Sequence, residues 1–396
     1  MKKISYLFMT CALLFLYSCI RTEDNSVLVS HPVEVEAKKA SVTGKVFSKN
    51  GIQPVGGALI FTFDAQHKMY FTHSDAQGDF TLETVPGSHT VYIQTGDGTN
   101  FRTEFNINLP EGQNVTADAS LTKLNQIANM AYVKGSYDEI EDIVQNLGYT
   151  ITEIDYDDLK NMNTIALYDI IFLNCGSRTQ TNSGTSTPNS DTMIYDNLAT
   201  FVTNGGSIYA SDWDVAYLTG GQSNSNGCNI PGGFLPDPLL CSTNNGSATT
   251  YSNADVTNVN LANAIGFNTL DIQYDLGAWQ RITAYEPTFW DVMVQYNNEA
   301  LMIRSNNFQN PTSPTLTVGN PANNNMVTIC HVAGGTPVTI TINQNALPAH
   351  VGHGDSLGPC SGTSASGTIF YTTFHNHASG NIGNTAPILQ YVILNL

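Results

Sequence analysis

The hydrophobic period of this chain changes near residue 125, and that change asks for two kinds of structure in one polypeptide. From residue 41 to about 124, apolar and polar residues alternate in short runs: VTGKV at 42–46, ALIFTF at 58–63, DFTL at 79–82, HTVYI at 89–93 and FNINL at 105–109. Turn sequences separate them, with Asn50-Gly51, Gln77-Gly78, Pro86-Gly87 and Gly96-Asp97-Gly98. Short strands at this spacing predict a small all-β sandwich. Beyond residue 125 the pattern becomes apolar strand, amphipathic helix, apolar strand. Residues 128–133 form a short strand, and 136–147 place Ile140, Ile143, Val144 and Leu147 on one helical face before Gly148 stops it. A second strand is expected at 149–154. YDIIFLN at 168–174 is a near-continuous apolar run, as a central parallel strand covered on both faces should be. A helix over 191–204 carries Ile194, Leu198, Phe201 and Val202, and GGSIYASDW at 205–213 ends it and opens the next strand, 207–211. Residues 214–266 are rich in Gly, Asn, Ser and Thr and read as an ordered excursion or a flap. Further strands follow at 269–274, 290–295, 300–304 and 367–373, then a helix whose first residue is Pro387. The alternation predicts a parallel, helix-covered sheet.

At 396 residues the chain exceeds the usual range for one domain. Residues 1–18 have the anatomy of a secretory leader, with Lys2 and Lys3 before an apolar run too short to span a bilayer permanently. The run ends in Leu16-Tyr17-Ser18-Cys19, which resembles the lipobox of bacterial lipoproteins. The resemblance implies that Cys19 becomes the acylated first residue, with more than one acyl chain giving stable anchoring. Residues 19–40 then form a tether. Glu23-Asp24 resembles the export signal that sends some lipoproteins of the Bacteroidetes type to the cell surface, which implies an outer-membrane and surface-exposed location. Loss of the leader would remove two lysines and no acid, taking the net charge from −18 to −20. Such a surface repels polyphosphate backbones, so nucleic acid is not an expected partner.

Residues 41–124 also carry a family resemblance. Val42-x-Gly44-x-Val46, Gly51-x-x-Pro54-Val55-x-Gly57-Ala58, Thr72-x-x-Asp75-x-x-Gly78-x-Phe80 and Val85-Pro86-Gly87 resemble the carboxypeptidase regulatory-like, transthyretin-type module. Such modules are spacers or weak binders. Residues 125–396 resemble the class I glutamine amidotransferase-like, flavodoxin-type α/β fold. The resemblance rests on the strand and turn at 168–176, the helix-Gly-Gly-strand passage to Ser211, and Phe374-His375 after a late strand. The expected architecture is therefore multidomain: a transthyretin-like sandwich followed by an α/β domain.

Active members of the second family place a cysteine at a glycine-flanked elbow and activate it with a histidine from a Phe-His-Pro-Glu-like motif. Here Ser211 or Asp212 occupies the elbow without flanking glycines, and Asn376 and His377 replace the proline and glutamate. A serine whose base lacks its orienting acid loses orders of magnitude in rate. Two functions follow. In the first, catalysis is lost and Cys175, Ser177, Asp212, Trp213 and His377, with Ser211 and His375, meet at the carboxyl edge of the strands to bind a small polar ligand or glycan. In the second, Ser211 and His375 serve a hydrolase. The non-catalytic function is preferred, with the chain binding such a ligand or mediating surface interactions.

Residues 320–362 divide the α/β domain as a Cys/His-rich insertion. Cys330-His331, His350-x-x-His353-x-Asp355 and Cys360 are acceptable zinc ligands, although their spacing matches no standard finger. The alternative is a Cys330–Cys360 disulfide stapling a unit too small for its own core, and this staple is preferred over metal, with no other cofactor expected. A Cys228–Cys241 disulfide is the simplest further pairing.

Overall fold

The computed structural model describes residues 38–96, 98–177, 192–219, 233–235, 239–305, 326–331, 338–343, 346–352, 355–357, 367–376 and 385–396. The leader, Cys19 and nearly all of the tether lie outside them, as do Cys228, His353, Cys360 and His377. Lys38–Leu396 form one compact unit, built mostly of β-sheet with a few helices. None of the described helices is long and apolar enough to cross a membrane.

The alternating amino-terminal region forms two sheets. Strands β1 (Ala40–Lys45), β4 (Asp79–Thr84) and β7 (Asn114–Thr116) make a three-stranded sheet in the order β4-β1-β7. Strands β2 (Leu59–Phe63), β3 (Met69–His73), β5 (Gly87–Thr95), β6 (Phe101–Leu109) and β8 (Asn125–Gln126) make a five-stranded sheet in the order β3-β2-β5-β6-β8. Alternation does its work in β4, where Phe80, Leu82 and Thr84 are buried while Asp79, Thr81 and Glu83 face water. The turn before it is closed by Asp75, whose Oδ1 accepts from the amides of Gln77 and Asp79 at 2.9 and 2.8 Å. Strand β2 breaks the alternation, because Ile60 joins the inner core while Leu59 and Phe61 face out to Ile329, Leu347 and Val351 of the insertion.

The second region is a nine-stranded mixed sheet. Its parallel half comprises β9 (Met130–Val133), β10 (Thr152–Ile154), β11 (Ile170–Leu173), β12 (Ser207–Ser211) and β22 (Ile369–Thr372), in the order β10-β9-β11-β12-β22. Counting only these five, the order is 2-1-3-4-5, with its reversal point between β9 and β11. The antiparallel half continues from β22 through β18 (Glu299–Ser305), β17 (Trp290–Tyr296) and β14 (Thr249–Val256) to β15 (Thr269–Tyr274). A separate pair joins β13 (Leu240–Thr243) to β16 (Arg281–Tyr285). The insertion contributes β19 (Met326–His331), β20 (Val338–Asn343) and β21 (Ser356–Leu357) in the order β20-β19-β21.

Helices cover both faces of the parallel half, which is why its strands read as continuous apolar runs. Helices α1 (Ile140–Asn146) and α7 (Thr385–Asn395) pack with Ile170, Phe172 and Tyr209 on one face; α3 (Thr192–Thr203) and α4 (Val215–Thr219) pack with Ile171, Leu173, Ile208 and Ala210 on the other. A short α2 (Met162–Ile165) precedes β11, and α5 (Val259–Ile265) follows β14. Helix α1 begins four residues later than its apolar spacing predicts, because residues 136–139 form a bend and irregular backbone that carry Asp138 to the carboxyl edge of the sheet. Helix α7 begins at Thr385 and not at Pro387; the proline still falls in the first turn, where no intrahelical amide donor is required.

The first apolar core does not stop at residue 124. It runs from Val42, Ile60 and Leu82 through Phe101 to Tyr149, Ile388 and Leu301, and Phe101 and Tyr149 approach to 4.9 Å between ring centroids. Polar ties close the same seam: the Asn100 amide donates to the Leu396 carbonyl at 2.7 Å and the Gln390 amide to the Pro54 carbonyl at 2.9 Å. Gly56 meets α5 so closely that a Cβ there would lie 2.1 Å from the Ala264 carbonyl oxygen. Gly56→Ala is therefore expected to cost about 1–3 kcal/mol through forced separation of this seam, measured by chemical denaturation. An unchanged midpoint would show that the seam is not under packing constraint.

Candidate functional site

Four strand ends meet at the carboxyl edge of the parallel half. The connection after β9 carries Asp138, that after β11 carries Asn174, Cys175 and Ser177, that after β12 carries Asp212 and Asp214, and that after β22 carries His375 and Asn376. The side chains expected from sequence to converge here do so for Cys175, Ser177, Ser211, Asp212 and His375, and all five are buried. Trp213 is half-buried and its indole nitrogen donates to the Ala278 carbonyl at 3.4 Å. His377 lies outside the described residues.

Ser211 is wholly buried, at 0 % exposure. Its hydroxyl donates to Asp138 Oδ2 at 2.5 Å and accepts from the Cys175 amide at 3.0 Å. The other Asp138 oxygen accepts from the Asn376 amide at 3.0 Å, while Glu139 and Asn376 exchange backbone and side-chain bonds beside it. One carboxylate thus holds the ends of β9, β12 and β22 together. Asp214 does the same for the turn after β11, accepting from the Gly176 amide at 3.1 Å and from the Ser177 hydroxyl.

Asp212 takes the backbone of the elbow. Its φ is +44°, an unusual value for a residue with a side chain and one that Asp tolerates better than most. The Gln280 amide donates to its Oδ1 at 2.6 Å, the Cys175 thiol lies 3.6 Å from its Oδ2, and His375 Nε2 lies 3.6 Å from the same oxygen. The structure thus pairs Ser211 with Asp138 and His375 with Asp212.

Burial dominates the electrostatics. It raises Asp138 above the ordinary carboxylate range, against the pull of His375, Ser211 and the Asn376 amide, and it raises Asp212 against His375 and the Gln280 amide. For His375, burial pushes the imidazole down, but the Asp212 contact and the two carboxylates together bring it above its ordinary value of 6.5. The Cys175 thiol is pushed well up by burial and by the Asp212 and Asp214 charges. Cys175 Sγ, an Asp212 carboxylate oxygen and a His375 nitrogen lie within 4.8 Å of one another, and a thiol held protonated is a poor nucleophile. Asp212 and His375 border a cleft with Tyr274, Asp275, Trp279 and Thr373 whose volume is about 10 Å³, room for one water.

A larger opening lies on the antiparallel half. Tyr251, Arg281, Tyr296, Asn297, Asn298, Glu299 and Asn245 line a cleft of about 520 Å³. Tyr251 and Tyr296 stack at 4.4 Å and 12°, and Arg281 makes a bidentate pair with Glu299 at 2.7 and 2.5 Å. Asn297 and Asn298 both have positive φ, as the tight turn joining β17 to β18 requires.

Of the insertion's six candidate ligands, the structure brings together His331, His350 and Asp355. His353 and Cys360 lie outside the described residues, and only the backbone of Cys330 is described, so the Cys330–Cys360 staple lies outside them too. Cys241 is disulfide-bonded, and its expected partner Cys228 lies outside the described residues.

Sequence reasoning missed Asp138, Asp214, Asn376 and Gln280. Asp138 carried a signal, since an acid in the first residues after a predicted strand sits where a parallel sheet exposes its carboxyl edge. Gln280 carried none, because it acts through its backbone amide.

No family model matches this chain, and no curated protein matches it. Among solved structures, a chain titled "mmIFT52 N-terminal domain" aligns with 46% of this chain and 82% of its own, at 11% identity and a TM-score of 0.29. A 9R-lipoxygenase from Cyanothece PCC8801 aligns with 76% of this chain and 42% of its own, at 11% identity and a TM-score of 0.13. At these TM-scores neither likeness bears on fold or function.

Two outcomes test the buried cluster. Ser211→Ala strips a fully buried carboxylate of a donor and is expected to cost about 1–3 kcal/mol of stability, read from denaturant unfolding. His375 binds its proton more tightly folded than unfolded, so its contribution is complete below pH 6.5 and is lost as pH rises through the folded value. The melting-temperature gap between the wild type and His375→Gln should therefore be widest near pH 6 and narrow toward pH 9. A gap independent of pH would show that folding leaves the affinity of this imidazole for its proton unchanged.

Proposed function

We propose that this chain is a lipid-anchored protein of the bacterial cell envelope that binds a neutral glycan or similar polar ligand without catalysing a reaction. The lipobox resemblance at Cys19 and the acidic pair behind it support an outer-membrane location with the chain facing outward. In this proposal the sandwich is a carboxypeptidase regulatory-like spacer, and the α/β half is an amidotransferase-like domain that has lost its chemistry. The 2-1-3-4-5 strand order and the positive φ of Asp212 at the elbow support that descent. The burial of Ser211 and its two hydrogen bonds favour loss of catalysis, since a nucleophile must reach a substrate with its base beside it.

The observation that carries the binding function is the 520 Å³ cleft at Tyr251, Arg281, Tyr296 and Glu299. The cleft beside Asp212 and His375 has no room for a sugar, so the ligand site moves from the parallel strand ends to the antiparallel half. Two half-buried tyrosines offer ring faces, and asparagine amides offer paired donors and acceptors for hydroxyl groups. Arg281 is neutralised by Glu299, so the cleft carries no net attraction for an anion, and the chain's net charge of −18 repels one.

A glycan array probed with the full chain in detergent micelles is expected to identify neutral oligosaccharides that raise its melting temperature. Tyr296→Ala and Arg281→Ala should each weaken that binding about tenfold, as loss of an aromatic or arginine anchor does. Ser211→Ala should leave it unchanged. Turnover of esters, amides or glycosides that disappears in Ser211→Ala would sink the non-catalytic assignment.

A further inference from the structure

We propose that His331, His350 and Asp355 form a binding site for one divalent first-row transition cation, with zinc as its natural occupant. Three separate pieces of backbone deliver these residues. His331 is the last residue of β19. His350 lies in α6 (Leu347–Gly352), and the Asp355 amide donates back to the His350 carbonyl at 3.1 Å. Pairing of Ser356 with Cys330 in the ladder then sets Asp355 beside His331. The platform is fixed by Ile329, Leu347 and Val351, which pack on Leu59, Phe61 and Met69.

The geometry is that of a ligand set. His331 Nδ1 and His350 Nδ1 each lie 2.7 Å from Asp355 Oδ2, and the two nitrogens lie 3.3 Å apart. A triangle with those sides has a circumradius of about 1.7 Å, shorter than the zinc bonds of about 2.0–2.1 Å to imidazole nitrogen and carboxylate oxygen, so a cation standing just off its plane reaches all three atoms. The donor types, two nitrogens and one oxygen, suit zinc and its first-row neighbours and do not suit calcium or magnesium. The Asp355 side chain is 0 % exposed while those of His331 and His350 are 28 % and 23 % exposed. The carboxylate is thereby fixed, and the partly exposed imidazoles give solvent access to the set. This site lies on the insertion and is independent of the glycan cleft.

The test uses the full chain in detergent micelles, stripped of metal by a chelator and then titrated with Zn2+ calorimetrically and with Co2+ by visible absorption. One equivalent of Zn2+ is expected, with at least tenfold weaker binding in Asp355→Asn and in His350→Gln and unchanged binding in Tyr296→Ala. Wild-type protein loaded with Co2+ should show visible bands without thiolate charge transfer in the near ultraviolet; this readout needs no variant to fold. Absence of stoichiometric binding, unchanged affinity in both variants, or a thiolate band would each overturn the proposal. The last would assign the ion to the cysteines.

Discussion

A carboxylate in a protein interior must be given partners or it will push the fold apart, and the carboxyl edge of this sheet is built around that requirement. Asp138 takes a hydroxyl from the end of β12 and an amide from the segment after β22. Asp214 takes an amide and a hydroxyl from the turn after β11, and Asp212 takes an amide from the distant Gln280. Each carboxylate is held by groups from a different strand connection, so the edge is tied crosswise. Removing one partner leaves a buried acceptor unsatisfied, whereas the same groups in water would cost nothing to separate. The arrangement gives the edge rigidity at the expense of the accessibility that chemistry would need.

Much of the sheet was legible because burial on both faces writes itself directly into composition. IIFL in β11 and SIYAS in β12 are wholly buried, and a run without polar alternation is the only pattern such strands can have. The antiparallel half was harder. Strand β14, TTYSNADV, is mostly exposed and contains Asn253 at positive φ, so neither period nor propensity marks it. Its pairing is stabilised by neighbours on either side and not by its own sequence. Strand β2 misled in the other direction: its outer residues Leu59 and Phe61 belong to a contact with residues some 270 positions later, a magnitude no local pattern can convey.

The location of the polar cluster was also legible, since strands that end in Cys175, Ser211 and Phe374-His375 must bring those residues to one edge. The partnerships were not. Four acids crowd residues 138–142, and only the tertiary fold selects Asp138 to face Ser211 while Glu141 accepts from Asn174. The elbow was read as serine or aspartate; backbone torsion gives it to Asp212, and torsion is a property of the assembled loop. The insertion shows the opposite balance. His331, His350 and Asp355 stood out by residue type alone, and the fold supplied their convergence.

The seam through which the Asn100 side chain reaches the carbonyl of Leu396, 296 residues away, has a consequence for how the molecule comes into being. The amino-terminal sheets emerge first during synthesis, yet part of their core and one of their outer faces are completed by the last helix and by the insertion. Until those arrive, Leu59, Phe61 and Phe101 lack their final neighbours. The segment made first can therefore reach its final packing only after the chain's end has emerged, and until then its apolar faces are exposed to aggregation.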